Sequence, residues 1–420
     1  MTDRPPQTLA RRLTTSDAVV IGLGAMIGAG IFAAPGPAAA AGGTWMLAGL
    51  AIAAVVAYAN ATSSAQLAAL HPEAGGTYVY ARARLGEHWG FLAGWSFVVG
   101  KTASLGAMAL TFGSYVDRDL ARPLAVGAVV VLTAVNYRGV EKTARLTRVL
   151  VVLILVALAL VVAAVAAGGA ASTANLDGEL PTGPWGVLRS AGLLFFAFAG
   201  YARLATLGEE VVDPETTIPR AIPVALGITV VVYVVVLGAA LLALGPQALA
   251  TSDAPLADAV AVGDGADLAP LVRAGAGVAA AGVLLSLLAG VSRTALSMAR
   301  RRELPAFLDA VHPEHRTPYR AEVATAAIVC GIVLVADLRG AIGFSSFAVL
   351  TYYALTNASA LRLTATERRW PRWLAVVGLC LCGLLALTLP LGSVVGGALV
   401  LVVGSIAWRA TAAYRTTTPR

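Results

Sequence analysis

The sequence predicts an all-α membrane protein, and three observations predict it. Apolar residues make up 58% of the 420 and charged residues 13%, with a mean hydropathy of +0.79; soluble chains carry about 25% charged residues. The apolar residues gather into twelve runs, each near the length of about 20 residues that a spanning helix needs. Two of these runs are interrupted by glycine-rich breaks, Gly24-Ala25-Met26-Ile27-Gly28-Ala29-Gly30-Ile31-Phe32 and Phe195-Phe196-Ala197-Phe198-Ala199-Gly200-Tyr201. Length alone would allow two or three soluble domains, but the pattern is that of one polytopic bundle over residues 1–420.

The elements follow in order. The first run, 17–41, comes after a polar, basic segment, 1–16. No small-x-small cleavage pattern closes it, so it reads as a span and not a signal peptide. Runs 43–70, 89–116, 122–138 and 148–168 complete a first group, with Lys101 inside the third run. Run 186–207 carries the second break and Arg203. Runs 219–244, 269–298, 321–337 and 340–362 follow, with the longest loops expected at 245–268 and 299–320. Runs 372–389 and 391–408 are joined by a short turn near Pro390.

The cations give the orientation. Lys and Arg favour cytoplasmic loops, and 23 of the 30 lie in the alternate segments 1–16, 71–88, 138–148, 208–220, 292–320, 362–372 and 408–420. The opposite loops hold Arg118, Arg122, Arg189, Arg273 and Arg339, together with most of the acidic residues outside those segments. Both termini are therefore expected in the cytoplasm and the protein in the cytoplasmic (inner) cell membrane. The net charge of +7 is then a topology signal. The basic residues are scattered over short loops with no binding module, which argues against nucleic acid.

Other chemistry is sparse. Cys330, Cys380 and Cys382 sit in apolar runs without disulfide or metal spacing, and read as small buried hydrophobes. His312 and His315 lie in a Pro-rich basic loop without a third ligand, so a solvated loop is expected and no metal. No nucleophile-and-base arrangement, phosphate loop or carboxylate pair is present. An enzyme is not expected, nor is a cofactor.

The breaks carry the functional reading. Val19-Val20-Ile21-Gly22-Leu23-Gly24 resembles a strand entering a dinucleotide turn. That turn requires a carboxylate about 20 residues on, and no Asp or Glu occurs between Asp17 and Glu73. Small residues also let membrane helices approach closely, which accounts for part of the glycine content. Non-helical backbone at membrane depth survives only where protein or a watery cavity satisfies it. Paired breaks in two halves mark the substrate site of secondary transporters. Free N–H groups at Gly28, Ala29 and Gly30 would bind an anionic group, and freed carbonyls at Phe196 and Ala199 a cationic one. Donors facing acceptors suit a zwitterion such as an amino acid.

These stretches resemble the amino acid–polyamine–organocation (APC) superfamily. Gly24 to Phe32 is similar to its first-helix signature. His71-Pro72-Glu73-Ala74-Gly75-Gly76-Thr77-Tyr78 is similar to its loop after span two, and Gly90-Phe91-Leu92-Ala93-Gly94-Trp95 to the start of span three. Phe195 to Tyr201 with Glu209-Glu210-Val211-Val212-Asp213-Pro214 resembles span six and its exit. Arg300 to Pro305, His312-Pro313 and Thr317-Pro318 resemble span eight and the loop beyond. The resemblance covers most of residues 10–365 and matches the last two spans only in number. It implies a leucine-transporter-like fold: inverted repeats over 17–168 and 186–362 around a midplane site, plus two helices over 372–408. It also implies that the amides of Gly28, Ala29 and Gly30 take a substrate carboxylate, and that the carbonyls of Met26, Phe196 and Ala199 take its amine.

The chain departs from the family in two places. Ile154 stands where one branch has a proton-coupling lysine, and Ala202 where the arginine/agmatine-exchanging branch has a glutamate. Lys101 falls where span three faces the substrate in that branch. A lysine at membrane depth is costly unless it faces a cavity or partner, and burial disfavours its charged form, bringing proton exchange within reach of neutral pH. It can be a structural lysine held by broken-helix carbonyls, a proton-coupling group, or a ligand for a substrate carboxylate. Arg203 points along the pathway or pairs with Glu209 or Glu210, and Glu209 ends the span near a cytoplasmic gate. Ser286 either faces the old sodium position or packs between helices. Phe198, Tyr201 and Tyr352 are candidate aromatics at the site. Two intramembrane cations without a buried acid favour a neutral or acidic amino acid.

The expectation is an amino acid permease working by alternating access, with the amino acid, protons and the lipid bilayer as its partners. Proton symport through Lys101 comes first, and exchange of amino acids or polyamines without protons second. A non-transporting amino acid receptor is the rival of another class, although no signalling domain or long tail is visible. An ion channel would call for a pore-lining polar ring, and none is visible.

Overall fold

A computed structural model describes residues 13–71, 75–139, 144–177, 183–201, 204 and 211–417. The described chain is all-helical, and each expected apolar run is helical where described. The only extended pairing among the described residues is an isolated parallel bridge between Leu13 and Val211. Among the described residues six helical segments are long and apolar enough to cross a membrane, including Thr15–Ala33, Pro214–Thr251 and Ala266–Arg300.

The first run is not one helix. α1 (Thr15–Met26) is nucleated by a capping box: Thr14 Oγ1 accepts the Asp17 N–H while the Asp17 carboxylate accepts the Thr14 N–H. It stops at Ile27. A short α2 (Gly30–Ala33) and, past a kink at Ala34, α3 (Pro35–Gly42) continue the path. α4 (Met46–Leu70), α5 (Thr77–Leu85), α6 (Glu87–Val116), α7 (Ala121–Tyr137) and α8 (Ala144–Ala167) follow. α9 (Gly183–Phe198) ends in a 3-10 turn, Ala199–Tyr201. Beyond it come α10 (Pro214–Thr251), α11 (Pro255–Ala261), α12 (Ala269–Arg300), α13 (Tyr319–Val335), α14 (Leu338–Ala360), α15 (Arg372–Thr388) and α16 (Leu391–Thr417).

Three expectations need correction. The loop expected at 245–268 is partly helical: α10 runs on past Gly245 to Thr251, the left-handed φ of 69° at Gly245 bending it before Pro246, and α11 occupies Pro255–Ala261. The last run extends beyond 408. The cysteines are not uniformly buried either: Cys382 is, Cys330 is half-buried and Cys380 is exposed.

The core sits where α6 packs against α14 and α12, and where α4 packs against α9 and α10. Exposed apolar side chains, such as Val231 and Val234 on α10 and Val402 and Val403 on α16, cover the outside, as a lipid-facing surface requires. Ion pairs respect the alternation read from the charges. Arg148 pairs with Asp17, Arg82 with Glu303, Arg84 with Glu367, Arg300 with Asp309 and Arg369 with Glu215. All of these join segments assigned to one side. Arg118 and Arg273 converge on Asp258 among segments of the other side. Among the described residues no pair crosses between the two sets.

Candidate functional site

The two breaks meet. A Cβ on Gly30 would lie 2.7 Å from the Ala197 Cα, and one on Gly200 would strike the Ala25 carbonyl. Glycine at these two positions therefore brings backbone against backbone, a use beyond helix–helix packing. Gly22 serves packing, lying against Leu204 and Ala225.

The helices end at the junction because their hydrogen bonding lapses. The Ile27 N–H still reaches the Leu23 carbonyl, at 2.7 Å. The next ladder bonds start from Phe32 and Ala33, both to the Ala29 carbonyl. Among the described residues, Gly28, Ala29 and Gly30 donate to no backbone acceptor outside a helix. These are the three amides that the sequence marks for an anionic group.

The acceptors lie on the other side. The Ala199 carbonyl accepts from Lys101 Nζ at 3.3 Å and from the Tyr353 hydroxyl at 3.3 Å. The Tyr233 hydroxyl sits 2.5 Å from the Met26 carbonyl and 3.0 Å from the Ala197 carbonyl, bridging the breaks. Farther along, the Tyr115 hydroxyl donates to the Phe32 carbonyl at 3.1 Å and accepts the Leu256 N–H. Buried carbonyls are thus satisfied by side chains from α6, α10 and α14, as the absence of water at membrane depth demands.

The predicted residues separate accordingly. Met26, Gly28, Ala29, Gly30, Ala199 and Lys101 converge at the junction. Lys101, 8% exposed, has no carboxylate partner among the described residues. Phe196 lies half-buried in the last turn of α9. Tyr201 is buried and stacks on Tyr353, with ring centroids 4.8 Å apart. Phe198 packs on Tyr233 at 5.0 Å. Arg203, Glu209 and Ala202 lie outside the described residues. Ile154 is buried on α8, which packs on α1 and α12. Ser286 is exposed, which neither of its two readings expects. Tyr352 does not join the site through its hydroxyl, which accepts the Thr77 N–H at the start of α5.

Tyr233, Tyr353 and Tyr115 were not foreseen. Each is a hydroxyl inside an apolar run, and that was the available signal: a phenol buried in a membrane helix must hydrogen-bond. His312 and His315 stack on each other at 4.6 Å beside Tyr137 and Tyr319, an aromatic cluster in place of a freely solvated loop. Among the described residues no group of three His, Cys, Asp or Glu could hold a metal.

At one end of the bundle α5 is locked to the segment after α12. Arg82 pairs with Glu303, which also accepts from the Tyr78 hydroxyl at 2.7 Å. Burial, then the Glu303 carboxylate, hold the Tyr78 phenol above its ordinary range, so it stays a donor. Nearby, Arg84 makes two bonds to Glu367. Arg84 and the Thr364 N–H hold the Glu367 carboxyl down at about 2.

The amino acid permease family model matches residues 13–408. An uncharacterised transporter of Mycobacterium tuberculosis (strain ATCC 25618 / H37Rv) is 59% identical over 403 residues, 96% of this chain and 92% of its own length. The methylthioribose transporter of Bacillus subtilis (strain 168) is 31% identical over 356 residues, 78% of this chain and 75% of its own. A branched-chain amino acid permease of the same organism is 27% identical over 340 residues, 75% of this chain and 72% of its own.

Proposed function

The chain belongs to the amino acid permease family of the APC superfamily, a family of multi-pass membrane transporters and not enzymes, and from that premise we propose that it carries a neutral or acidic amino acid by alternating access. We further propose twelve spans, with inverted repeats over 17–168 and 186–362 and two added helices over 372–408. Both termini face the cytoplasm, and the membrane is the cytoplasmic one.

One observation carries the reading: two helix breaks touch, with the amides of Gly28, Ala29 and Gly30, unbonded among the described residues, on one and the Ala199 carbonyl on the other. A substrate carboxylate takes the amides and its ammonium takes the carbonyls of Met26, Phe196 and Ala199. Lys101 is the proton-coupling group, and Arg203 and Glu209 act in gating. The absence of a carboxylate beside Lys101 among the described residues argues against a cationic side chain in the site. The branched-chain permease relative supports a neutral one. Exchange of amino acids without protons is the second reading, since Ile154 removes the family's other proton site.

The test is uptake of radiolabelled alanine, glutamate and lysine into proteoliposomes, with and without an imposed proton gradient. Saturable flux of alanine or glutamate that responds to the gradient is expected. Lysine as the preferred substrate, or flux that never saturates, would overturn the reading.

A further inference from the structure

We propose that Lys101 is a built-in stand-in for the substrate's ammonium, so that a proton on Lys101 and an amino acid in the site exclude one another. The inference rests on the reading above, that the Ala199 carbonyl takes the substrate amine, and it fixes the sign of the coupling.

The argument is geometric. The Ala199 carbonyl has two lone pairs, and both are engaged, by Lys101 Nζ and the Tyr353 hydroxyl at 3.3 Å each. The Met26 carbonyl, the matching acceptor at the first break, is engaged by Tyr233. Two of the three carbonyls assigned to the ammonium, those of Met26 and Ala199, are therefore already engaged by the protein's own donors. An arriving ammonium needs the position that Lys101 Nζ holds. Two cations at one carbonyl, in a buried site, repel each other strongly.

Among the described residues no carboxylate contacts Lys101. Among the described residues the titratable groups around the junction are phenols and one thiol: Tyr353 on the same carbonyl, Tyr201 stacked on it, Tyr352 edge-on to Tyr353, and Cys382 near Tyr201. α2 carries none. On the other elements packed against α6, four arginines are engaged elsewhere. Arg82 of α5 holds Glu303, Arg122 of α7 reaches the Leu334 carbonyl, Arg273 of α12 reaches the Tyr115 carbonyl and Arg339 of α14 reaches the Ala250 carbonyl. Arg293 of α12 and Arg409 of α16 are exposed, and Glu322 of α13 is buried in that helix's first turn with one carboxylate oxygen unpartnered among the described residues.

The step balances simply. The Lys101 ammonium gives one proton to water on the side to which the site is open, becomes a neutral amine and leaves Ala199. The zwitterion then places its own ammonium there. On release of substrate, Lys101 takes up a proton and returns. Proton and amino acid thus occupy the carrier alternately and cross in opposite directions, which replaces the symport expected from the sequence.

The experiment measures proton release and affinity on the purified full chain in detergent. Alanine, isoleucine and glutamate are titrated between pH 5.5 and 8.5 in two buffers of different ionisation enthalpy. About one proton released per amino acid at low pH is expected, with affinity rising up to about tenfold per pH unit there. Lys101→Gln, which keeps a donor without a titratable proton, is expected to bind with no proton release and no pH dependence. Pyruvate, which lacks the amine, is expected to release none. PH-independent wild-type binding without proton release would overturn the inference while leaving the amino acid carrier standing. So would a Lys101→Gln variant that loses alanine and pyruvate alike, since Lys101 would then be a carboxylate ligand. If none of the three amino acids binds at any pH, the carrier reading falls and this inference with it.

Discussion

The Tyr233 hydroxyl lies 2.5 Å from the Met26 carbonyl, so a side chain of α10 closes the open end of α1. That phenol also reaches Ala197, 3.0 Å away, and the two breaks share one donor. Removing it by Tyr233→Phe leaves a buried carbonyl unsatisfied, at a cost of about 1–3 kcal/mol. A lower melting temperature in detergent is expected, with the deficit shrinking at saturating substrate, whose amine replaces the donor. An unchanged melting temperature would show that the clasp contributes nothing.

Gly200→Ala places a methyl group into the Ala25 carbonyl. Overpacking costs about 1–3 kcal/mol where side chains can yield, and here the obstacle is backbone. Loss of uptake with a fall in melting temperature is expected. Gly227→Ala, in α10 with nothing within 4 Å of the added carbon, is the control and should transport normally.

Glu303→Ala strands the Arg82 guanidinium, whose side chain is 19% exposed against 1% for Glu303. Breaking a buried pair costs about 3–5 kcal/mol, and the residual solvent contact of Arg82 puts the expectation near the lower end. Arg82→Met added to Glu303→Ala should recover part of the loss, measured as a double-mutant cycle in chemical denaturation. Strictly additive losses would mean that the two residues act independently.

The Arg84–Glu367 pair has a defined pH window. A carboxyl depressed in the folded state stabilises above its unfolded value of about 4.3 and loses that contribution as pH falls through about 2. The pair is therefore constant between pH 5 and 8. Glu367→Gln should leave the pH profile of uptake across that range unchanged in shape. A profile altered there would assign proton handling to this pair.

The helices were legible because lipid allows few solutions: long apolar runs must be helical, and alternate basic loops must share a side. The place of the breaks was legible too, since Gly28 to Gly30 and Ala199-Gly200 carry too little side chain for a continuous packed helix. What pins the breaks was not. Tyr353 and Tyr352 are adjacent and chemically alike, and only the rotation of α14 decides which one meets Ala199 and which one caps α5 at Thr77. Tyr233 looks like one more apolar residue of a valine-rich run. Lys101 was conspicuous, yet its partner was a backbone oxygen nearly a hundred positions away, and carbonyls leave no mark in composition.

The bridge from Leu13 to Val211, with the Val212 N–H on the Leu13 carbonyl at 2.9 Å, ties the lead-in to α1 to the lead-in to α10. One segment precedes the first break and the other follows the second. A tug on either is passed to its counterpart through the main chain, without any side chain to slip. The approach to the first break and the exit from the second are thereby joined backbone to backbone.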